Sequence, residues 1–325
     1  MRAAVVHRYG GPEVVRVAER PDPVPGASEV LIRVAATTVS AADARIRAAR
    51  FPRGFGLIAR AMFGLRRPRN PVLGTEFAGR VVAVGPGVAA PRPGQRVVAY
   101  AGGALGGHAE LAVRPARSAL AVLPDAVEDA TAAALAFGGA TALHFLIERA
   151  RLSPGESLLV VGASGAVGSA AVQIGAAHGA RVTGVTSGGN AGLVRGLGAE
   201  ATIDHRAAAV AAWPRGFDVV FDTVGAAPLS ALARLVRPGG RLVPIVTSLP
   251  QMLGAGLVGR RHGIRVLTGA APERAEHLRA LVEMVAAGRF RPLIGARLPL
   301  ARIDEAHAIA DSGRKRGSVV VTMPG

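Results

Sequence analysis

The chain has 325 residues, half of them hydrophobic, enough for two cores and therefore for two domains. Zero cysteine removes disulfides, thiolate nucleophiles and Cys-ligated zinc, and fits a cytoplasmic protein. The formal charge of +17 raises nucleic acid as a partner, but the positive charge is nearly all arginine, Lys315 being the only lysine, and aromatics at 4% are too few for a base-stacking platform, so no nucleic-acid partner is expected.

From the N-terminus, Met1 to His7 enters a strand at once, with no apolar leader and no cleavage site. Up to residue 125 the chain reads as short alternating strands: Val14 to Ala18, Glu29 to Ala35, Ala78 to Val84, Arg96 to Ala99 and Ala109 to Val113. Pro21-Asp22-Pro23, Gly85-Pro86-Gly87 and Pro91-Arg92-Pro93-Gly94 punctuate them, which predicts a small, partly closed β-barrel. Inside this region stand Arg45, Arg47, Arg50, Arg53, Arg60, Arg66, Arg67 and Arg69, with no acid between Asp43 and Glu76. They read either as a solvated loop or as a patch that receives an anionic substrate or carrier.

Val127 to Ala150 turns helical. Two uncharged stretches, Ala130 to Ile147 and Ser157 to Ala180, approach the length of a membrane span. They are built on Ala and Gly and contain Gly138-Gly139, His144 and Gln173, so a buried α/β core is expected and no membrane partner.

Glu156 to Gly168 is the most informative stretch: a buried strand runs through Gly162-Ala163-Ser164-Gly165-Ala166-Val167-Gly168 into a helix. The three glycines allow a tight turn, close approach to phosphate oxygens and helix packing on the strand, while the first helical N–H groups face an anion. Ala170, Ala171, Val172, Ile174 and Ala177 supply the apolar helix face, and Gly179 to Val185 reads as a second strand, completing a βαβ unit. An NAD site commonly places an acid at the end of that second strand to hold the ribose hydroxyls. Here no acid occurs between Glu156 and Glu200; Ser187, Asn190 and Arg195 stand there instead, which points to a ribose 2′-phosphate and NADPH.

Strands then alternate with helices through Phe217 to Phe221 and Arg241 to Val246 as far as about residue 260, the pattern of a doubly wound parallel sheet. The tail, with helices over Pro272 to Ala287 and Ala301 to Ser312 and a strand over Ser318 to Thr322, is expected to return to the first domain. The expected division is 1–125, completed by 263–325, around a dinucleotide-binding domain at 126–262.

Across essentially the whole chain the sequence resembles the medium-chain dehydrogenase/reductase superfamily, and within it the zinc-independent quinone oxidoreductases. The resemblance rests on Pro71 to Gly79, Gly94 to Tyr100, Gly107-His108-Ala109-Glu110, Thr141-Ala142-Leu143, the glycine turn and Pro238-Gly239-Gly240-Arg241, in order and at family spacing. It implies an α/β fold of a GroES-like β-barrel domain plus a Rossmann domain, with the active site in the cleft between them. Zinc-dependent relatives carry His where this chain has Thr75 and Cys near Ser40, so no metal is expected. By resemblance the site is lined by Ser40, Asp43, Thr75 and Tyr100. Ser40 could instead be a helix N-cap, Asp43 a capping residue, and Tyr100 half-buried packing. Thr141, Val224, Gly225, Ile245, Val246 and Thr247 align with positions that meet the cofactor. The lysine that relatives place before the last strand is replaced, its role open to Arg314, Lys315 or Arg316.

Loss of the metal argues against alcohol oxidation and leaves acceptors that need little Lewis-acid help. The expectation is an NADPH-dependent, zinc-independent reductase of quinones or α,β-unsaturated carbonyls, forming a homodimer as relatives do. Two alternatives stay open: an enoyl reductase on a carrier-bound metabolite, and a non-catalytic NADPH-binding sensor.

Overall fold

In the computed structural model, which describes residues 1–324, the chain falls into two compact units. The first comprises Met1–Phe51, Gly56–Ala140 and the chain from Glu273 onward; the second comprises Pro52–Phe55 and Thr141–Pro272.

The first unit begins with an antiparallel ribbon of β1 (Arg2–Val6) and β2 (Val15–Glu19). Next come β3 (Glu29–Val39), α1 (Ala41–Ala48), α2 (Gly56–Phe63), β4 (Glu76–Val84), β5 (Arg96–Tyr100), β6 (Leu111–Pro115), β7 (Leu120–Val122) and α3 (Asp129–Ala142). Eleven residues long, β3 buries Val30, Ile32 and Val34 on one face and pairs with β4, β6 and, after the return of the chain, the last strand. Its register on β4 shifts twice, between Leu31 and Ile32 and between Val34 and Ala36, and such bulges bend a strand enough to serve several neighbours. Val30, Ile32, Phe77, Val81, Val97, Val319 and Val321 meet in the barrel core.

After α3 the helical run continues as a π-turn segment, Leu143–Arg149. Asp129–Arg149 is long and apolar enough to cross a membrane, but 78% of its most apolar window is buried within the fold, as its Ala and Gly content led one to expect.

The second unit contains β8 (Ser157–Val161), α4 (Ala166–Ala177), β9 (Arg181–Thr186), α5 (Ala191–Gly196), β10 (Ala201–Asp204), β11 (Phe217–Asp222), α6 (Leu229–Ala233), β12 (Val236–Pro244), α7 (Leu249–His262) and β13 (Arg265–Val266). Its six strands are ordered β10-β9-β8-β11-β12-β13 and every pairing is parallel. Strand order reverses between β8 and β11, and in such sheets ligands bind beyond the carboxyl ends of the strands at that reversal. Leu159, Val161, Val220, Leu232 and Leu242 lie at its core.

The tail adds α8 (Ala275–Ala286), β14 (Ile294–Pro299), α9 (Ile303–Asp311) and β15 (Ser318–Thr322) to the first unit, extending the barrel sheet as β14-β15-β3-β4-β5-β7. The fold is therefore a GroES-like barrel unit and a Rossmann unit. Short β7, β10 and β14 escape sequence pattern because each is too brief or too exposed to alternate clearly; β14 runs Ile-Gly-Ala-Arg-Leu-Pro with no fully buried residue.

Candidate functional site

At the switch point of the second unit, Gly162 leaves β8 with φ +80°, in the left-handed region. A Cβ there would stand 2.6 Å from both Thr223 Oγ1 and Val224 Cγ1, in the turn after β11. At Gly168 a Cβ would lie 2.1 Å from the Gly162 carbonyl oxygen, so α4 can seat on the turn only without a side chain. Gly165 differs: the one atom near its Cβ position is the Gly162 oxygen at 3.4 Å. It is the N-cap of α4 and caps nothing by side chain. The N–H groups of Ala166, Val167 and Gly168 have no acceptor within the helix and carry the positive end of its dipole.

A small polar set surrounds this cradle. Ser164 Oγ accepts from Thr186 Oγ1 (3.0 Å) and from Asn190 Nδ2 (3.2 Å), and Asn190 Nδ2 also donates to Ser187 Oγ (3.2 Å). Asn190 Oδ1 is buried without a partner, an acceptor left for a ligand donor. Arg195, in the last turn of α5, is exposed and pairs with no side chain among the described residues. The cradle and this free cation can receive the phosphates of a dinucleotide, and the orphan acceptor can take a ribose hydroxyl. One feature escaped the sequence: β10 brings Asp204 alongside, and a Cβ on Gly188 would lie 2.6 Å from its Oδ2. A scan for acids along the chain after the glycine turn stops short of a carboxylate supplied by the neighbouring strand.

Asp222, at the end of β11, shapes the next loop. Its carboxylate accepts from the N–H groups of Val224 (3.1 Å), Gly225 (3.1 Å) and Ala226 (3.0 Å), while burial pushes its pKa up against them. Gly225 has φ +73° and Val224 is 55% exposed. Ile245 N–H donates to the Asp222 carbonyl (2.8 Å), which sets Ile245, Val246 and the buried Thr247 beside that loop. Thr141 is buried in the final turn of α3, just before the π-turn. The second unit thus gathers Gly162 to Gly168, Val224, Gly225 and Ile245 to Thr247 along one edge of its sheet.

In the first unit, Ser40, Asp43 and Thr75 form one buried cluster. Ser40 is the N-cap of α1 in a reciprocal capping box: its Oγ accepts from Asp43 N–H (3.1 Å) and its own N–H donates to Asp43 Oδ2 (2.9 Å). Asp43 also accepts from Ser40 Oγ (2.6 Å), from Thr75 Oγ1 (3.3 Å) and from Gly74 N–H (3.1 Å). Ser40 Oγ and Thr75 Oγ1 are 3.2 Å apart. Gly74 takes φ +102°, and a Cβ on it would stand 2.5 Å from His108 N, so the turn before Thr75 needs glycine. His108 is itself buried, its Nε2 2.9 Å from the Thr38 carbonyl oxygen.

Tyr100 sits across the β4–β5 ladder from Glu76 and packs edge-on against Phe137 at 6.3 Å. Its hydroxyl has no hydrogen-bond partner among the described residues, and burial, with Glu76 and Glu273 nearby, pushes its pKa up, so it stays protonated. Glu76 is the residue that sequence reasoning passed over. It is 2% exposed and accepts from the Thr38 hydroxyl and the Phe137 N–H. Burial pushes its pKa up to about 7, those two bonds working the other way. Its signal was an acid inside the apolar run Leu73 to Ala78, a place where a carboxylate is retained only if it is satisfied. Of the three basic residues before β15, Lys315 is the one that turns inward: its Nζ donates to the Gly317 carbonyl (2.8 Å), and burial pushes its pKa down against the attraction of Glu76 and Asp43.

Comparison with known proteins agrees with the fold. Residues 26–125 match the alcohol dehydrogenase GroES-like domain family and residues 197–321 the zinc-binding dehydrogenase family. The chain is 31% identical to a quinone oxidoreductase of Rattus norvegicus, over 99% of this chain and 98% of that protein. It is 33% identical, over 94% of its length, to a segment making up 8% of a pikromycin polyketide synthase component of Streptomyces venezuelae. A mycobacterial structure complexed with NADPH superposes with TM-score 0.83 at 28% identity, covering 99% of each chain. On these grounds the chain belongs to the medium-chain dehydrogenase/reductase superfamily, in its zinc-independent quinone oxidoreductase branch.

Proposed function

We propose that the protein is an NADPH-dependent reductase of quinones or α,β-unsaturated carbonyls that works without a metal. The observation that carries this reading is the glycine cradle at the sheet's switch point, with an uncapped helix N-terminus, the Ser164–Ser187–Asn190 set at the end of β9 and the unpaired Arg195. Gly165 and the first N–H groups of α4 would hold the pyrophosphate, and Ser187 and Arg195 the ribose 2′-phosphate, with Asn190 orienting Ser187; NADPH when bound supplies a hydride. The relative solved with NADPH supports the same cofactor.

The first unit's residues divide by where their protons point. Those of Ser40 and Thr75 are directed at Asp43, so these two hydroxyls are held rigidly and are poor donors. Tyr100 keeps an uncommitted hydroxyl proton, and we assign it the donor that stabilises negative charge on the acceptor oxygen. Glu76 stands behind it as a buried carboxyl near its midpoint at neutral pH, and Asp43 is a positioning residue. Quinones and enones suit this equipment because charge arriving at one carbon is delocalised onto an oxygen that a single hydrogen bond can serve. We place the protein in the cytoplasm and expect a homodimer. The likeness to a polyketide synthase segment supports a second reading, reduction of a carrier-linked unsaturated acyl group.

Ser187→Asp tests the cofactor assignment. It should raise the KM for NADPH about tenfold or more and leave that for NADH nearly unchanged, because a carboxylate there repels a 2′-phosphate but can accept from a 2′-hydroxyl. Equal losses for both nucleotides would remove the assignment.

A further inference from the structure

The segment carrying the arginine cluster is part helix and part loop: Arg45 and Arg47 lie on α1 and Arg60 on α2, while Arg50, Arg53, Arg66, Arg67 and Arg69 lie outside both. Its centre is α2, anchored inward: Ala59 is buried, Phe63 stacks on Phe51 with ring centroids 6.0 Å apart, and Tyr9 Oη donates to the Gly64 carbonyl (2.5 Å). The turn that follows is fixed by Gly64 at φ +127° and by Arg69 N–H donating to the Phe63 carbonyl (2.6 Å). A helix held this firmly on one side would ordinarily show polar residues on the other. Instead it presents Leu57, Ile58, Ala61 and Met62 at helical spacing, followed by Leu65 in the turn beyond it, and Leu57, Ile58, Met62 and Leu65 are 83%, 53%, 60% and 67% exposed.

Exposed arginines flank the stripe. Arg60 Nη1 donates to the Leu65 carbonyl (3.2 Å) and its guanidinium lies 5.6 Å from the Tyr9 ring centroid; Arg69 Nη2 donates to the Ala61 carbonyl (3.1 Å). Arg66 and Arg67 are exposed and pair with no carboxylate among the described residues. The whole stretch between Asp43 and Glu76 contains no acid.

We propose that α2 and the turn to Arg69 form a docking face for an anionic lipid bilayer, with the aliphatic stripe at the acyl boundary and Arg60, Arg66, Arg67 and Arg69 among the headgroups. This face is apolar along its ridge, cationic at its margins and without any acid, which is complementary to an anionic headgroup layer over acyl chains and is the pattern of an interfacial helix. The composition argued against a membrane-spanning segment, and that stands; the expectation of no membrane partner at all is revised. The proposal is independent of the reaction assigned above, although a lipophilic quinone would be met at the same surface.

The test is sedimentation of the full chain with vesicles of phosphatidylcholine alone and of equal parts phosphatidylcholine and phosphatidylglycerol. A charge of +17 draws a protein to any anionic surface, so the deciding arm is Leu57→Ser/Met62→Ser, which keeps that charge. Wild type should sediment with the anionic vesicles and not with phosphatidylcholine. The apolar double variant should bind about tenfold or more weakly, as should Arg66→Ser/Arg67→Ser, both with unchanged thermal unfolding since all four side chains are exposed. No sedimentation of wild type, or equal sedimentation of the apolar double variant, overturns the proposal. So does a dimer, measured by light scattering without lipid, that the apolar double variant converts to monomer, because a second copy would then cover the stripe.

Discussion

Tyr100 and Glu76 face each other on neighbouring strands, and their surroundings give them opposite duties. Burial keeps the phenol protonated and leaves its hydroxyl unpaired, whereas Glu76 is fully engaged by Thr38 and Phe137. Tyr100→Phe should lower kcat/KM about tenfold to a hundredfold while leaving NADPH affinity within twofold, measured by steady-state kinetics and nucleotide titration. For Glu76 the sign of the pH effect follows from its raised pKa. The folded protein holds this proton more tightly than the unfolded chain, so Glu76 costs nothing below about pH 4.5 and costs progressively more stability as pH rises toward 7. A rise from 4.5 to about 7 is worth about 3 kcal/mol, and Glu76→Gln should therefore gain on the wild type by up to about that amount across the same window in chemical denaturation. A difference that does not vary with pH would contradict the assigned burial. The sequence singled out Ser40, Asp43, Thr75 and Tyr100 through their place in a recognisable pattern, but did not show that Asp43 gathers the protons of two of them. Nor did it disclose Glu76, because the partners that make a buried carboxyl tolerable lie 38 and 61 residues away in the chain.

Elements with a strong local rule were legible, and those set by tertiary context were not. The turn from β8 into α4 could be read because its three glycines stand between a buried strand and an apolar helix that leads into a second strand, and the structure gives two of them a steric reason. Gly168→Ala brings a methyl carbon to 2.1 Å from the Gly162 carbonyl oxygen, and should cost about 2 kcal/mol of stability together with most NADPH affinity. Unfolding by urea and nucleotide titration measure the two losses, and an alanine variant with wild-type affinity would mean that the turn does not meet the phosphates. By contrast α2 reads from composition as a charged loop, because its apolar residues face solvent and its buried ones are small or shared with Phe51. Asp204 was missed for a related reason: the sequence rule for nucleotide choice looks along one strand, and the carboxylate beside Gly188 arrives from the next.

At the scale of the molecule, each unit carries its own apolar core and its own part of the proposed chemistry, the Rossmann unit the glycine turn and the barrel unit the hydroxyls and buried acids. The tail belongs with the barrel because β15 pairs with β3, and that same return carries Lys315 toward Glu76 and Asp43. At the two positions where the resemblance implies zinc ligands in zinc-dependent relatives, this chain has Ser40 and Thr75, two hydroxyls held on Asp43. The most direct measurement is the oxidation of NADPH and of NADH by exhaustively chelated protein, against a panel of ortho- and para-quinones, enones, enals and an enoyl thioester. Full turnover of quinones or enones without added metal, with NADPH preferred, is the expected result. Activity that returns only on adding zinc, or tight NADPH binding with no acceptor reduced, would contradict it.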